Sequence, residues 1–166
     1  MMAMDELYTK PGHLIRRMQQ IAVAIFMEEC RDFDLTPVQY ATLVAINAYP
    51  GVDATGLSAL VAFDRSTLGS VIGRLEAKKY IQRRASREDS RVKLLHLTDL
   101  GRKMLAAAAP AVERAQHAML APLRPGDRRK FLQVLTQLVD LNNDASRAPQ
   151  QAIDQQRRGL TVSEAQ

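Results

Sequence analysis

The residues whose chemistry is most evident in this chain are the arginines and lysines between positions 64 and 93. This stretch holds nine basic residues against four acidic ones, so it carries the whole formal net charge of +5, and the other 136 residues sum to zero. A local excess of positive charge is typical of a surface that meets a polyanion, although a solvated basic face has the same composition. The secondary structure of this basic block has to decide between the two interpretations.

Groups that could catalyse a reaction are not arranged in a recognisable motif. The sequence has no Gly-x-Ser-x-Gly, His-Glu-x-x-His or Cys-x-x-Cys, and no glycine-rich phosphate loop. A single cysteine, Cys30, excludes an intramolecular disulfide, and three scattered histidines do not suggest a zinc site. We therefore expect neither an enzyme nor a metal or cofactor.

Half of the basic block lies on a predicted helix over residues 65–79, capped by Asp64. Apolar side chains share one side of this helix. The opposite side carries small residues, namely Ser66, Gly69, Ser70, Gly73 and Ala77. Two glycines within a helix cost about 1 kcal/mol each relative to alanine, which suggests that something bulky approaches the backbone there. In a basic block, the major groove of DNA is the natural candidate.

The other half of the basic block is predicted to form a β-hairpin. Two short strands, residues 81–84 and 92–97, flank a turn-rich segment over residues 86–90. A short helix over residues 54–62 precedes the basic helix and is joined to it by a tight turn. This order predicts a winged helix-turn-helix, in which the recognition helix enters the major groove and the hairpin, or wing, reaches the adjacent minor groove.

Longer helices are predicted on both sides of this domain. Apolar periodicity and capping residues place them at residues 11–32, 37–48, 99–121 and 128–143. The first and the last two extend beyond so small a domain, and their apolar faces need cover. A symmetric partner that supplies the same helices would provide it, whereas the alternative is a private bundle within a monomer.

We therefore expect a mainly α-helical fold with a small β-hairpin wing, in which the N- and C-terminal helices form a dimerisation domain. The expected parts are an N-terminal dimerisation helix (1–35), a winged helix-turn-helix DNA-binding domain (36–97), C-terminal dimerisation helices (98–146) and a mobile polar tail (147–166). No apolar run is long enough to span a membrane, and the N-terminus lacks a secretory signal, so a cytoplasmic location is expected.

Three successive motifs resemble the signature core of the MarR family of bacterial transcription regulators. They are residues 71–83 (VIGRLEAKKYIQR), residues 89–91 (DSR) and residues 97–101 (LTDLG). The set is specific, although each motif alone is weak, and the resemblance extends from residue 11 to about residue 144. Lys79 stands where the family usually has glycine. The resemblance implies a homodimeric regulator, usually a repressor, bound to a pseudo-palindromic operator.

The resemblance also implies which side chains contact DNA. They are Arg65, Ser66, Thr67, Ser70, Arg74, Arg87, Asp89 and Arg91. Arg91 matches the wing arginine that the family inserts into the minor groove, and Asp89 is its expected orienting partner. The alternative is that Asp89 and Arg91 form only a weak exposed ion pair. Arg74 could instead pair with a neighbour such as Glu76.

Many members of the family release DNA when a small aromatic carboxylate or phenol binds between the dimer helices and the winged domain. The residues that could form such a site here are His13, Arg16, Arg17 and Tyr40. An arginine in an apolar cleft can grip a carboxylate bidentately, and a neutral histidine can add a hydrogen bond. The pattern at residues 13–17 resembles the branch that regulates aromatic-acid breakdown. The alternative is that Arg16 and Arg17 form intersubunit salt bridges beside His13.

Two other functions stay open at this point. Some relatives sense peroxides through a cysteine near the start of the first helix, which suggests Cys30 as a redox sensor. Cys30 lies near the end of that helix beside Glu28 and Glu29, however, and neighbouring carboxylates disfavour the reactive thiolate. A buried, inert thiol is therefore the alternative. A protein-interaction module, in which the basic block is incidental, is the other possible function.

Overall fold

The computed structural model describes residues 4–150, which form a mainly helical fold with one β-hairpin. The elements are α1 (Met4–Tyr8), α2 (Pro11–Glu29), α3 (Pro37–Ala48), α4 (Ala54–Val61), α5 (Arg65–Ala77), β1 (Ile81–Ala85), β2 (Lys93–Leu97), α6 (Asp99–Leu120) and α7 (Pro125–Leu141). Short 3-10 turns follow α2 and α7, at Arg31–Phe33 and Asn143–Ala145. The predicted fold class is confirmed. The tail expected beyond residue 146 lies mostly outside the described residues.

Capping side chains set where several helices begin. Thr36 and Gln39 form a reciprocal capping box at α3, Asp53 accepts from the backbone of α4, and Thr98 accepts from Gly101 N at 3.0 Å. Three predicted boundaries were wrong. Helix α2 ends at Glu29 and not at residue 32, and α5 ends at Ala77 and not at residue 79. Helix α7 begins at Pro125 and not at residue 128, because proline suits the first helical position. Helix α1 was not predicted.

The early end of α5 follows from the backbone of Lys79. This residue has φ of 60°, in the left-handed region where glycine is the residue without steric strain. The chain therefore leaves the helix and turns into β1. The family resemblance had marked this position as a departure from glycine, and the structure shows that lysine takes up the glycine conformation.

The buried apolar side chains of the described residues form two hydrophobic cores. The larger one lies within the winged domain, among Leu35, Leu43, Ile46, Leu57, Leu68, Leu75, Ile81 and Leu95 with their neighbours. The smaller one joins α2 to α6 through Phe26, Cys30, Ala111, Val112 and Ala115. Phe33 and Tyr40 pack against both cores, so they connect the two helices to the winged domain.

The hairpin pairs β1 with β2 in antiparallel register, from Ile81 opposite Leu97 to Ala85 opposite Lys93. A further antiparallel bridge joins Val52 to Leu95, so the segment after α3 pairs with β2 as a third segment of the wing sheet. This bridge was not predicted, because one paired residue leaves no alternation in the sequence.

The start of α6 is fastened to the end of α5 by the Leu-Thr-x-x-Gly motif. The Thr98 hydroxyl donates to Lys79 O at 2.7 Å, and Thr98 N donates to Tyr80 O at 3.0 Å. A Cβ atom on Gly101 would lie 2.0 Å from Tyr80 O, so only glycine permits this close approach. The turn that ends α5 is therefore attached directly to the start of the long helix α6.

Helix α7 buries none of its residues in the single chain. Its exposed apolar side chains are Phe131, Leu132, Val134, Leu135, Leu138, Val139 and Leu141. Helix α2 likewise exposes Leu14, Ile15 and Ile21. No helix within residues 4–150 is long and apolar enough to cross a membrane.

Candidate nucleic-acid interface

Asp64 organises the first turn of α5. Its carboxylate accepts the backbone N–H of Thr67 at 2.9 Å and the hydroxyl hydrogens of Ser66 and Thr67 at 2.6 and 2.8 Å. These hydrogen bonds, that of the Ser66 hydroxyl first, lower the pKa of Asp64 strongly, so the cap stays ionised. Because both hydroxyl hydrogens are engaged, Ser66 and Thr67 can offer only oxygen lone pairs to a ligand.

The outward face of α5 is open along its whole length. Leu68, Val71, Ile72 and Leu75 are buried on the inner side. On the outer side, a Cβ atom built on Gly69 or Gly73 would meet nothing within 4 Å. Packing within the described residues therefore does not require glycine at either position. The free space lies where a double helix could approach the backbone.

The basic side chains of α5 are available to a ligand. Arg65, Ser70 and Arg74 are exposed, and Arg74 makes no ion pair with any residue between 4 and 150. Glu76, which could have neutralised Arg74, instead pairs with Arg83 of β1 at 3.1 Å. The alternative considered for Arg74, pairing with Glu76, is therefore not what the structure has.

The wing holds its arginine in a defined position. Asp89 Oδ1 accepts from the backbone N–H of Arg91 at 2.9 Å and from its Nε at 3.1 Å. These hydrogen bonds, the backbone bond first, lower the pKa of Asp89, while the side chain of Arg91 remains 90% exposed. The expected contact between Asp89 and Arg91 is present, and Arg87 is exposed beside it. The guanidinium group projects from the hairpin tip with most of its donors free.

Two groups near α5 were not predicted from the sequence. Lys78 lies just after the helix and its Nζ is 2.7 Å from Asp34 Oδ2, in the loop before α3. Gln39 is buried in the first turn of α3. The capping box was readable from Thr36 and Gln39, whereas the ion pair joins residues 44 positions apart and leaves no local pattern.

The four expected effector residues do not form one cluster within the single chain. His13 packs against Tyr8, with ring centroids 5.4 Å apart, and Arg17 donates to Gln20 Oε1 at 3.1 Å. Tyr40 instead packs against Phe26, with centroids 6.2 Å apart. Nine residues separate Arg17 from Phe26 along α2, roughly 13 Å of helix. Arg16 is exposed.

The environment of Cys30 disfavours redox chemistry. The residue is 1% exposed and packs in the core between α2 and α6. Burial raises the pKa of its thiol, Arg114 nearby lowers it, and Glu29 raises it further, with a net increase. Reactive cysteines have lowered pKa values and some exposure, so Cys30 lacks both properties. Within residues 4–150 no group of His, Cys, Asp and Glu could hold a metal ion.

A sequence model of the MarR family matches residues 33–92, which include α3, α4, α5, β1 and the hairpin turn up to the start of β2.

Three solved structures resemble the chain over most of its length. The PcaV transcriptional regulator from Streptomyces coelicolor, solved with its natural ligand, is 32% identical, with a TM-score of 0.76 over 84% of this chain and 98% of that one. BpsR of Bordetella bronchiseptica, whose DNA binding is regulated by 6-hydroxynicotinic acid, is 29% identical, with a TM-score of 0.75 over 80% and 95%. The transcriptional repressor CouR, bound to a 23-mer DNA duplex, is 27% identical, with a TM-score of 0.75 over 84% and 99%.

Proposed function

Since this chain belongs to the MarR family of transcription regulators, we propose that it is a homodimeric repressor of a palindromic operator, released by a small aromatic carboxylate or phenol. The chromosome is its target, so the proposal places it in the cytoplasm. The domain division expected from the sequence is part of the proposal, with residues 36–97 contacting DNA and residues 1–35 and 98–146 forming the dimer.

The observation that carries DNA binding is the pairing of two features in one domain. Helix α5 has an outward face with open space at Gly69 and Gly73, and the wing beside it presents a positioned, exposed Arg91. A helix face without bulky side chains fits the major groove, and an arginine at a hairpin tip fits the narrower minor groove. Exposed Arg65, Arg74 and Arg87 add the positive charge that attracts the phosphate backbone.

The unpartnered apolar faces of α7 and α2 support a dimer. Seven large apolar side chains of α7 are exposed in the single chain, which is far more than one helix usually leaves in water. A second copy that supplies the same helices would bury them around a two-fold axis. Such a dimer would present two copies of α5 at the spacing of successive major grooves, about 34 Å.

A small-molecule effector is supported by two relatives, and an aromatic acid by one of them and by the basic end of α2. PcaV was solved with its natural ligand, and BpsR responds to 6-hydroxynicotinic acid. In this chain, Arg16 and Arg17 lie beside the exposed Leu14 and Ile15, which combines cationic donors with apolar surface. Tyr40 lies on α3 and packs against Phe26, far along α2 from Arg17, so in this proposal a site that uses all four expected residues is completed by the partner protomer.

The test of this function is binding to DNA from the region upstream of its own gene. We expect nanomolar binding at low salt, a steep loss of affinity as salt rises, and much weaker binding to a shuffled duplex. A protein-interaction module would bind neither duplex at any salt concentration. Equal affinity for both duplexes would contradict sequence-specific regulation.

A further inference from the structure

A groove of about 370 Å³ lies between the first turn of α3 and the C-terminal half of α5. It is lined by Asp34, Thr36, Gln39, Arg74, Ala77 and Lys78. We propose that this groove is an oxyanion site and that the oxyanion it receives is a backbone phosphate of the bound DNA. The inference rests on the proposed function, since it requires α5 to lie in the major groove.

Gln39 supplies the observation that points to a ligand. The residue is 4% exposed, its Oε1 accepts Thr36 N at 3.2 Å, and its own backbone N–H donates to Thr36 Oγ1 at 3.2 Å. Its Nε2 makes no hydrogen bond with any residue between 4 and 150. A buried N–H group without an acceptor costs free energy, and nearly all such groups in folded proteins find a partner. A ligand oxygen in the groove would supply that acceptor.

The charges of the groove favour an anion. Lys78 Nζ and Asp34 Oδ2 neutralise each other across 2.7 Å, with the Asp34 side chain 90% exposed and the Lys78 side chain 26% exposed. The guanidinium of Arg74 has no such partner within the described residues, so the lining keeps one uncompensated positive charge. The Arg74 guanidinium and the Gln39 amide are both hydrogen-bond donors, and two donors that share one groove match the oxygens of a phosphate or carboxylate.

The position of the groove favours a DNA phosphate as the source. Ala77 and Leu68 are nine residues apart, which is two and a half helical turns, so Ala77 lies opposite the buried side of α5. Because Ala77 belongs to the lining, the groove opens beside the face proposed to enter the major groove. The DNA major groove is bordered on both sides by rows of backbone phosphates. A small carboxylate shares the same chemistry and is the other source that the experiment has to separate.

Gln39→Glu is the most discriminating variant. Glutamate at this position keeps an oxygen acceptor for Thr36 N and is a normal third residue of a capping box, so α3 stays capped. The change replaces the free amide donor by a negative charge. Binding of labelled duplexes, one from upstream of its own gene and one shuffled, is measured by fluorescence anisotropy over a salt series. We expect affinity for both duplexes to fall about tenfold or more, because phosphate contacts do not depend on sequence.

Arg74→Gln is a second variant, at an exposed position where folding is not at risk. Loss of one phosphate contact should lower the slope of log Kd against log salt by about 0.9 for each protomer. Asn47→Asp is the matched control, since it exchanges an exposed amide for a carboxylate at the far end of α3. It should leave both the affinity and the slope close to those of the wild type.

The outcomes separate the groove from the proposed function. If Gln39→Glu and Arg74→Gln bind both duplexes as the wild type does while Arg91→Ala is weakened, the groove assignment is overturned and the repressor remains. If the wild type itself binds no duplex at low salt, both are overturned. The Tm of thermal unfolding, measured with benzoate and with inorganic phosphate, tests whether the groove binds a small carboxylate instead of a DNA phosphate. A Gln39→Glu protein with wild-type DNA affinity that loses a benzoate-induced rise in Tm would overturn the DNA phosphate and assign a small carboxylate.

Discussion

At the scale of single residues, Asp89 holds the Arg91 side chain in a defined orientation in the chain without DNA. Two hydrogen bonds from Arg91 end on one carboxylate oxygen, and they lower the pKa of Asp89. The carboxylate therefore remains ionised above its lowered pKa, and the guanidinium stays oriented throughout the neutral pH range. A side chain that is already oriented loses less conformational freedom on binding.

Arg91→Ala should weaken operator binding by about tenfold or more, the effect of losing one or two charge-assisted hydrogen bonds in each protomer. Fluorescence anisotropy at fixed salt measures the effect. Thermal unfolding should be unchanged, because the side chain is 90% exposed. Arg124→Ala is the control, since it removes an equally exposed positive charge at the corner between α6 and α7. An Arg91→Ala protein with the affinity of the Arg124→Ala protein would contradict the role of the wing.

Lys79 gives a second prediction at this scale. Its left-handed backbone, φ of 60°, strains any residue with a Cβ atom, while glycine adopts it freely. Lys79→Gly should therefore raise the free energy of unfolding by about 1 kcal/mol, after allowance for the greater flexibility of glycine in the unfolded chain. Urea denaturation of Lys79→Gly and Lys79→Ala is the measurement. Alanine keeps the strain, so a Lys79→Gly protein no more stable than the Lys79→Ala protein would contradict a strain that exceeds the flexibility cost of glycine.

At the scale of elements, α5 gives up helical stability to keep its outer face small. Gly69→Ala and Gly73→Ala should each raise the free energy of unfolding by about 0.5 to 1 kcal/mol, since alanine is the better helix former and no atom opposes its Cβ. Both should weaken DNA binding, because the added methyl group occupies the surface that meets the duplex. Chemical denaturation measures the expected gain in stability, and fluorescence anisotropy on the same variants measures the expected loss of DNA affinity.

Gly126→Ala is the control for this pair. Gly126 lies in the first turn of α7, and a Cβ atom there also meets nothing within 4 Å. This variant should gain stability in the same way without any change in DNA affinity. If Gly69→Ala and Gly73→Ala also retain full affinity, the glycines of α5 do not serve DNA approach.

The elements themselves were largely predictable from local signals. Thr36 with Pro37, Asp64 and Thr98 each mark a helix start within the sequence, and the structure has a helix beginning at the next residue in every case. The hairpin followed from two short strands around a turn-rich segment. Signals of this kind depend on neighbours three or four residues apart, which is why a single sequence carries them.

The features that were missed depend on distant contacts. The bridge between Val52 and Leu95, the ion pair between Asp34 and Lys78, and the unpartnered amide of Gln39 each need the packed domain to exist. The residues proposed to contact DNA could be named from the sequence because they lie on recognisable elements, and most of them are exposed there. The effector residues stay a prediction, since His13 and Arg17 lie near the start of α2, whereas Tyr40 lies on α3 against Phe26.

At the scale of the whole molecule, α7 has an apolar face that the rest of the described chain leaves exposed. Leu138 lies 50% exposed in the middle of its apolar face. Leu138→Asp should place a charge in the dimer interface and shift the protein from dimer to monomer in sedimentation equilibrium, with loss of operator binding. Gln133→Asp is the control, because residue 133 lies on the opposite side of α7 from the centre of the apolar face. A monomeric wild type, or a dimeric Leu138→Asp protein, would contradict the proposed assembly.

Release of DNA by an effector requires that the ligand bind the free and DNA-bound forms unequally. The coupling is reciprocal, so an aromatic acid that weakens operator binding by a given factor should itself bind the operator complex more weakly by the same factor. Calorimetry with and without operator measures one factor, and anisotropy with and without ligand measures the other. Arg17→Ala should abolish both while apo DNA binding persists, whereas Arg31→Ala, an exposed cation beyond the other end of α2, should change neither. An Arg17→Ala protein with wild-type ligand affinity would place the carboxylate grip elsewhere in the dimer.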